Sequence, residues 1–261
     1  DGNVAVGELA MGTGTTTTAV YNVAIGTIAL EDITTGDSNV AVGAGAAANV
    51  TEGIENISIG RSSLTTATTE IGNTVMGHEA GKSIRHDASD YNVIMGYQAS
   101  VGGTGARSQS IAIGYRAWGN GGSSNDIGGA ENVFIGAESG GGTWATGASD
   151  GNTAVGWNTM KGAMNGAANN VAVGKSALLA VTTGSYNAIL GASAGTALTD
   201  GHNNIAIGNL ALSTSTSAGL CIAIGDDAMR SGNVTAAADG SVAIGASALT
   251  ALTSGIGNVA I

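Results

Sequence analysis

A five-residue phrase, Asn–aliphatic–Ala–aliphatic–Gly, recurs along the whole 261-residue chain. It reads Asn3-Val4-Ala5-Val6-Gly7 near the start, then Asn22 to Gly26, Asn39 to Gly43, Asn170 to Gly174 and Asn204 to Gly208. The closing glycines fall at 7, 26, 43, 60, 77, 96, 114, 136, 156, 174, 191, 208, 225 and 245, and a last copy begins at Asn258. Self-similarity at a near-constant period is the signature of a solenoid, and it constrains architecture more than any local propensity does.

Within the phrase, the Asn is position 0. Val and Ile occupy positions 1 and 3, so apolar residues alternate as they do in a strand. β-Branched side chains suit that pleated surface. The Gly at position 4 has no Cβ and can turn the chain at positive φ. Three residues later a small residue recurs, as Ala29, Ala46, Ala80 and Ala177, often followed by Leu30, Leu64 or Leu178. This second segment is expected to form a short strand facing the first. Variable Thr-, Gly- and Asp-rich connections follow, such as Thr182-Thr183-Gly184, and these are turn formers.

Glycine spacings of 17 to 22 residues leave no room for a strand–helix unit. The expected fold is therefore an all-β parallel β-solenoid of about fourteen coils, forming one domain over residues 1–261. At one strand spacing per coil the rod would be roughly 65–70 Å long. Position 0 would stack Asn on Asn, and two readings of that column stand open: a hydrogen-bonded amide ladder or a set of turn formers. Ser110, Cys221 and Ser241 interrupt it.

Composition narrows the function classes. Gly accounts for 45 residues, Pro for none, and the formal charge is −11. An acidic chain is a poor partner for nucleic acid, whose phosphates call for a positive surface. The sequence has no run of eighteen apolar residues and so offers no transmembrane helix, and direct membrane insertion is not expected. Both termini lie inside a repeat, which suggests a piece of a longer fibre. The single cysteine, Cys221, is read as a small buried thiol.

Position 2 carries Ala5, Ala24, Ala41, Ser58, Val75, Ile94, Ala112, Phe134, Ala154, Ala172, Ile189, Ala206, Ala223 and Ala243. With Val and Ile assigned to the coil interior, this stripe would face outward. A small apolar stripe in water invites a partner, so these residues are the expected subunit contact of a parallel homo-oligomer. The alternative is a monomer whose own loops cover the Ala face.

Repeats such as Ser241-Val242-Ala243-Ile244-Gly245-Ala246-Ser247-Ala248 resemble the head repeats of YadA-like trimeric autotransporter adhesins. Asn152-Thr153-Ala154-Val155-Gly156-Trp157 is similar to repeats in bacteriophage tail fibres. The resemblance implies a left-handed homotrimeric β-roll, displayed extracellularly on a cell surface or virion and used for attachment. The coils here are longer than the adhesin repeat.

No catalytic constellation assembles: HExxH, nucleophile-elbow and Walker motifs are absent from the sequence. The expectation is a protein without enzymatic activity or cofactor. His78-Glu79 and His86-Asp87 could hold a metal, but solvated loop charges are the simpler reading. Aspartates at 37, 87, 90, 126, 150, 200 and 239 lack the GGxGxDxU spacing of calcium-binding rolls. Tyr115, Trp118, Trp144 and Trp157 are candidate contacts for a host-surface receptor or glycan. Two other functions compete: a self-assembling filament or sheath, and an ice-binding solenoid. The second needs threonines in register, whereas those at 15–18, 65, 66, 68 and 69 fall in loops of unequal length.

Overall fold

The computed structural model describes residues 2–12, 18–84, 88–101, 105–119, 128–144, 147–230 and 239–261. His86, Asp87, Asp126 and the threonines at 15–17 lie outside them. The described residues contain strands and turns and no helix. The chain separates into two compact units, Asp1–Glu131 and Asn132–Ile261, each a parallel β-solenoid.

The first unit contains β1 (Val4–Val6), β2 (Val23–Ile25), β3 (Val40–Val42), β4 (Ile57–Ile59), β5 (Thr74–Met76), β6 (Val93–Met95) and β8 (Ile111–Ile113). A second parallel pair joins β7 (Arg107–Ser108) to β9 (Gly129–Ala130). The second unit contains β10 (Val133–Ile135), β11 (Thr153–Val155), β12 (Val171–Val173), β13 (Ala188–Leu190), β14 (Ile205–Ile207), β15 (Ile222–Ile224), β16 (Val242–Ile244) and β17 (Val259–Ala260). Within each unit the repeat strands pair in parallel with the next copy without slip, as in Ala24 opposite Ala41 and Ala206 opposite Ala223.

The expected interior is reversed. Position 2 points inward: Ala24, Ala41, Ser58, Val75, Ile94, Ala112, Phe134, Ala154, Ala172, Ile189, Ala206, Ala223 and Ala243 are all buried within the chain itself. These residues are therefore not a subunit contact. Ala5, in β1, is exposed. Positions 1 and 3 point outward, leaving Ile25 41%, Val171 47% and Leu190 50% exposed. The reason is width. Position 2 packs across a flattened coil against positions 7 and 8 (Ala177 and Leu178 in one coil, Ala211 and Leu212 in another), all buried. At most levels one large residue fills that gap.

The pairing is compensated residue by residue. In most coils where position 2 is small, position 8 is large: Ala24 with Leu30, Ala112 with Trp118, Ala154 with Met160, Ala172 with Leu178; the coil from Asn39 departs from this, with Ala41 and Ala47. Where position 2 is large, position 8 shrinks: Val75 with Gly81, Ile94 with Ser100, Phe134 with Gly140, Ile189 with Gly195. A Cβ on Gly140 would sit 2.6 Å from the Phe134 ring, and one on Gly195 would meet Ile189 at 3.4 Å.

The expected second strand is a run of turns. In the coil from Asn170, Ser176 and Leu178 take φ of 56° and 49°, so the ladder cannot continue as β-structure. Coil-to-coil backbone bonds persist even so: Ser176 N–H donates to the Trp157 carbonyl at 2.8 Å and Leu178 N–H to that of Ala194 at 2.9 Å. Left-handed backbone at non-glycine residues is unfavourable. It holds here because the inter-coil bonds over-determine it.

The amide ladder is real. Asn56 Nδ2 donates to Asn39 Oδ1 at 3.1 Å and, across its own coil, to the Glu70 carbonyl at 2.7 Å. Asn56 Oδ1 accepts from both the N–H and the Nδ2 of Asn73, at 3.0 and 3.2 Å. Every donor and acceptor of this buried amide is used. The same pattern runs through Asn152, Asn170, Asn187 and Asn204.

Candidate interaction surface

Side chains at positions 1 and 3 form two aliphatic columns on the outer face of each unit. Ile25, Ile57 and Met76 belong to the first unit, and Val171, Leu190, Ile205, Ile207 and Ile244 to the second. All of these lie on strands whose backbone register is held by ladder hydrogen bonds, so the columns are rigid. Isolated exposed aliphatics are ordinary on protein surfaces; contiguous rows of them mark sites of association.

Two further columns flank the strands. Position −1, at positive φ, carries Tyr21, Tyr91 and Tyr186, which are 58–69% exposed. The Tyr21 and Tyr91 rings lie over Gly2 and Gly72 of the preceding coils, where a Cβ would come within 2.9 and 2.7 Å of the ring. Position 5, just past the turn Gly, carries His78, Tyr97 and Tyr115. Their rings stack at 5.2 and 5.7 Å between centroids, with interplanar angles of 8° and 12°.

Of the four aromatic candidates, two are on the surface. Tyr115 ends that stack with the Arg116 guanidinium 6.0 Å from its ring. Trp157 is exposed beneath the Lys175 ammonium, 5.0 Å from its ring centroid. The other two are core. Trp118 is buried with the Arg107 guanidinium 5.0 Å away. Trp144 is buried edge-on to Phe134 at 5.7 Å and donates to the Gly140 carbonyl at 3.2 Å. Trp118 is the position 8 residue facing Ala112, and Trp144 occupies interior volume beside the Phe134/Gly140 pair, so neither ring can meet a ligand. Sequence reasoning missed Tyr97 as an exposed aromatic in register with Tyr115; its place directly after the turn Gly was the available signal.

The acidic groups serve the stack. Asp37, Asp90 and Asp239 each accept the N–H of the equivalent residue one coil earlier, from Val20, Ile71 and Gly219, at 2.7 to 2.8 Å. Glu79 lies beside His78. The Lys82 ammonium at 2.7 Å and the Gln98 amide at 2.8 Å hold its carboxyl below the usual carboxylate range. No cluster of three metal-ligating side chains occurs among the described residues. Thr65 and Thr66 hydroxyls donate to the carbonyls of Ser62 and Lys82, so both serve their own chain.

Cys221 occupies a ladder position. Its N–H donates to Asn204 Oδ1 at 3.0 Å, and burial pushes its thiol above the ordinary range. Ser241, further along, accepts with its Oγ both the N–H and the Nδ2 of Asn258, each at 3.2 Å. One small acceptor atom can thus replace the amide oxygen.

No helix among the described residues is long and apolar enough to cross a membrane. Comparison with protein-family models, with curated proteins and with solved structures finds no match to this chain.

Proposed function

We propose that this chain is a segment of an extracellular fibre, non-enzymatic and homotrimeric, that serves attachment to a surface or host as in bacterial adhesin heads or phage tail fibres. The observation that carries the reading is the pair of outward Val/Ile columns. Half-exposed aliphatics repeated on a rigid strand face would each contribute about 1 kcal/mol on burial, and three such faces around one axis form a closed apolar centre. The contact lies at positions 1 and 3, in place of the buried position 2. The resemblance of the repeats to trimeric adhesin heads supports the number three. The exposed Tyr97, Tyr115 and Trp157, at the rim of that face, supply aromatic surface along the seams between chains, where a glycan or receptor would meet two chains at once.

Native mass measurement or sedimentation equilibrium tests the assembly. Three chains per particle is the expected result, and a monomer at micromolar concentration would overturn it. Screening the assembled protein against immobilised glycans, with Trp157→Ala and Tyr115→Ala as variants, tests attachment. Retention on a glycan that both variants lose is the expected result, and indifference of binding to both would remove these aromatics from the reading.

A further inference from the structure

We infer that, in the homotrimer, the residue at position −1 of one chain contacts the residue at position 5 of its neighbour in the same coil. The inference rests on the trimeric reading above and adds the identity of the contacting residues.

A cyclic axis along the solenoid rotates a chain without translating it. Coil n of one copy therefore faces coil n of the next. The aliphatic columns at positions 1 and 3 occupy the centre of the contact. Their flanks, position −1 on one side and position 5 on the other, then meet heterologously across each of the three seams.

At three levels the residues at these positions are complementary in charge or in size. Glu55 (position −1) and Arg61 (position 5) share one coil, and both are exposed. Neither has an ion-pair partner among the described residues. Theirs is the one coil with charges at both positions, and the charges are opposite. In the second unit, Gly151 shares a level with Trp157, and Tyr186 shares one with Ala192. Trp157, Tyr186 and Ala192 are all exposed. A large side chain thus faces a small one, first in one sense and then in the other. Within a single chain β4 (Ile57–Ile59) lies between Glu55 and Arg61.

Disulfide trapping tests the pairing. In a Cys221→Ser background, Glu55→Cys with Arg61→Cys is oxidised and run on denaturing gels without reductant. Cysteines bridge only when their Cα atoms approach within about 7 Å. The expected product is a covalent three-chain species that Glu55→Cys alone does not form. Tyr186→Cys with Ala192→Cys provides an independent second level. Three-chain linkage by either pair supports the inference. Silence of both pairs in a protein that native mass shows to be trimeric overturns the inference and leaves the trimer standing, as does equal linkage by Glu55→Cys alone. A monomeric parent protein fails the trimer itself.

Discussion

Phe134 fills the space that a side chain on Gly140 would need: a Cβ there would lie 2.6 Å from the Phe134 ring. The two residues sit six apart, on facing walls of one coil. The same exchange of volume links Ile189 to Gly195, whereas Ala172 faces Leu178.

This exchange predicts a compensating double mutant. Ala172→Ile alone overpacks the coil and should cost about 1–3 kcal/mol. Leu178→Gly alone opens a cavity and should cost about 3–5 kcal/mol. Together they reproduce the Ile189/Gly195 pair of the next coil, and the double mutant should be more stable than the sum of the single losses by at least about 1 kcal/mol. Chemical denaturation of the four proteins measures the coupling; strict additivity would show that the walls do not share one volume.

The amide ladder predicts a graded series at Asn56. Asn56→Ala leaves the Asn73 donors and the Glu70 carbonyl without their partner in the interior and should cost about 2–4 kcal/mol. Asn56→Ser keeps an acceptor oxygen, as Ser241 does for Asn258, and should cost less. Melting temperatures in the reverse order would contradict the ladder.

The glycines at positive φ predict a contrast between two positions of like conformation. Gly128 and Gly240 have φ of 74° and 73°. A Cβ on Gly128 would collide with the Ala106 carbonyl oxygen, whereas one on Gly240 meets nothing within 4 Å. Gly240→Ala should cost only the backbone strain, about 1–3 kcal/mol. Gly128→Ala adds a clash with backbone and should be the more damaging. Equal losses in thermal unfolding would mean that conformation alone selects the glycine.

The two faces of a strand predict opposite phenotypes. Ile207→Glu, on the outer column, should leave the circular dichroism spectrum intact while lowering the assembly state. Ala206→Glu, one residue earlier, buries a carboxylate in the coil and should abolish folding. Sedimentation and circular dichroism on both variants separate the outcomes.

Cys221 predicts a loss of stability in alkali. Its folded thiol titrates above the ordinary range because it is buried. The unfolded chain therefore ionises first, above about pH 8.5. Its contribution is whole below that pH and falls away as pH rises toward the folded value. Cys221→Ser should remove this part of the alkaline loss, and native Cys221 should react with thiol reagents far more slowly than the unfolded chain. Rapid modification of the native protein at neutral pH would show the thiol to be accessible.

How much of this was legible in the sequence follows from what each residue type reports. The period, the three-residue strand, the turn at Gly and the stacking of Asn on Asn could all be read from one recurring phrase, because each depends on local geometry repeated in register. The volume exchange between positions 2 and 8 was also present, six residues apart, but it carries meaning only once those residues are known to face each other. Alternation with period two says that a strand has two faces; it does not say which is inside. A preference for larger aliphatics in the core would put Val171 and Val173 inward. The folded coil is too narrow for that: one Leu-sized side chain spans it opposite Ala172, and the Asn170 amide finds every hydrogen-bond partner within it. Only the tertiary structure, through the width of the coil, decided that Ala and Asn form the interior and that the Val and Ile columns face outward.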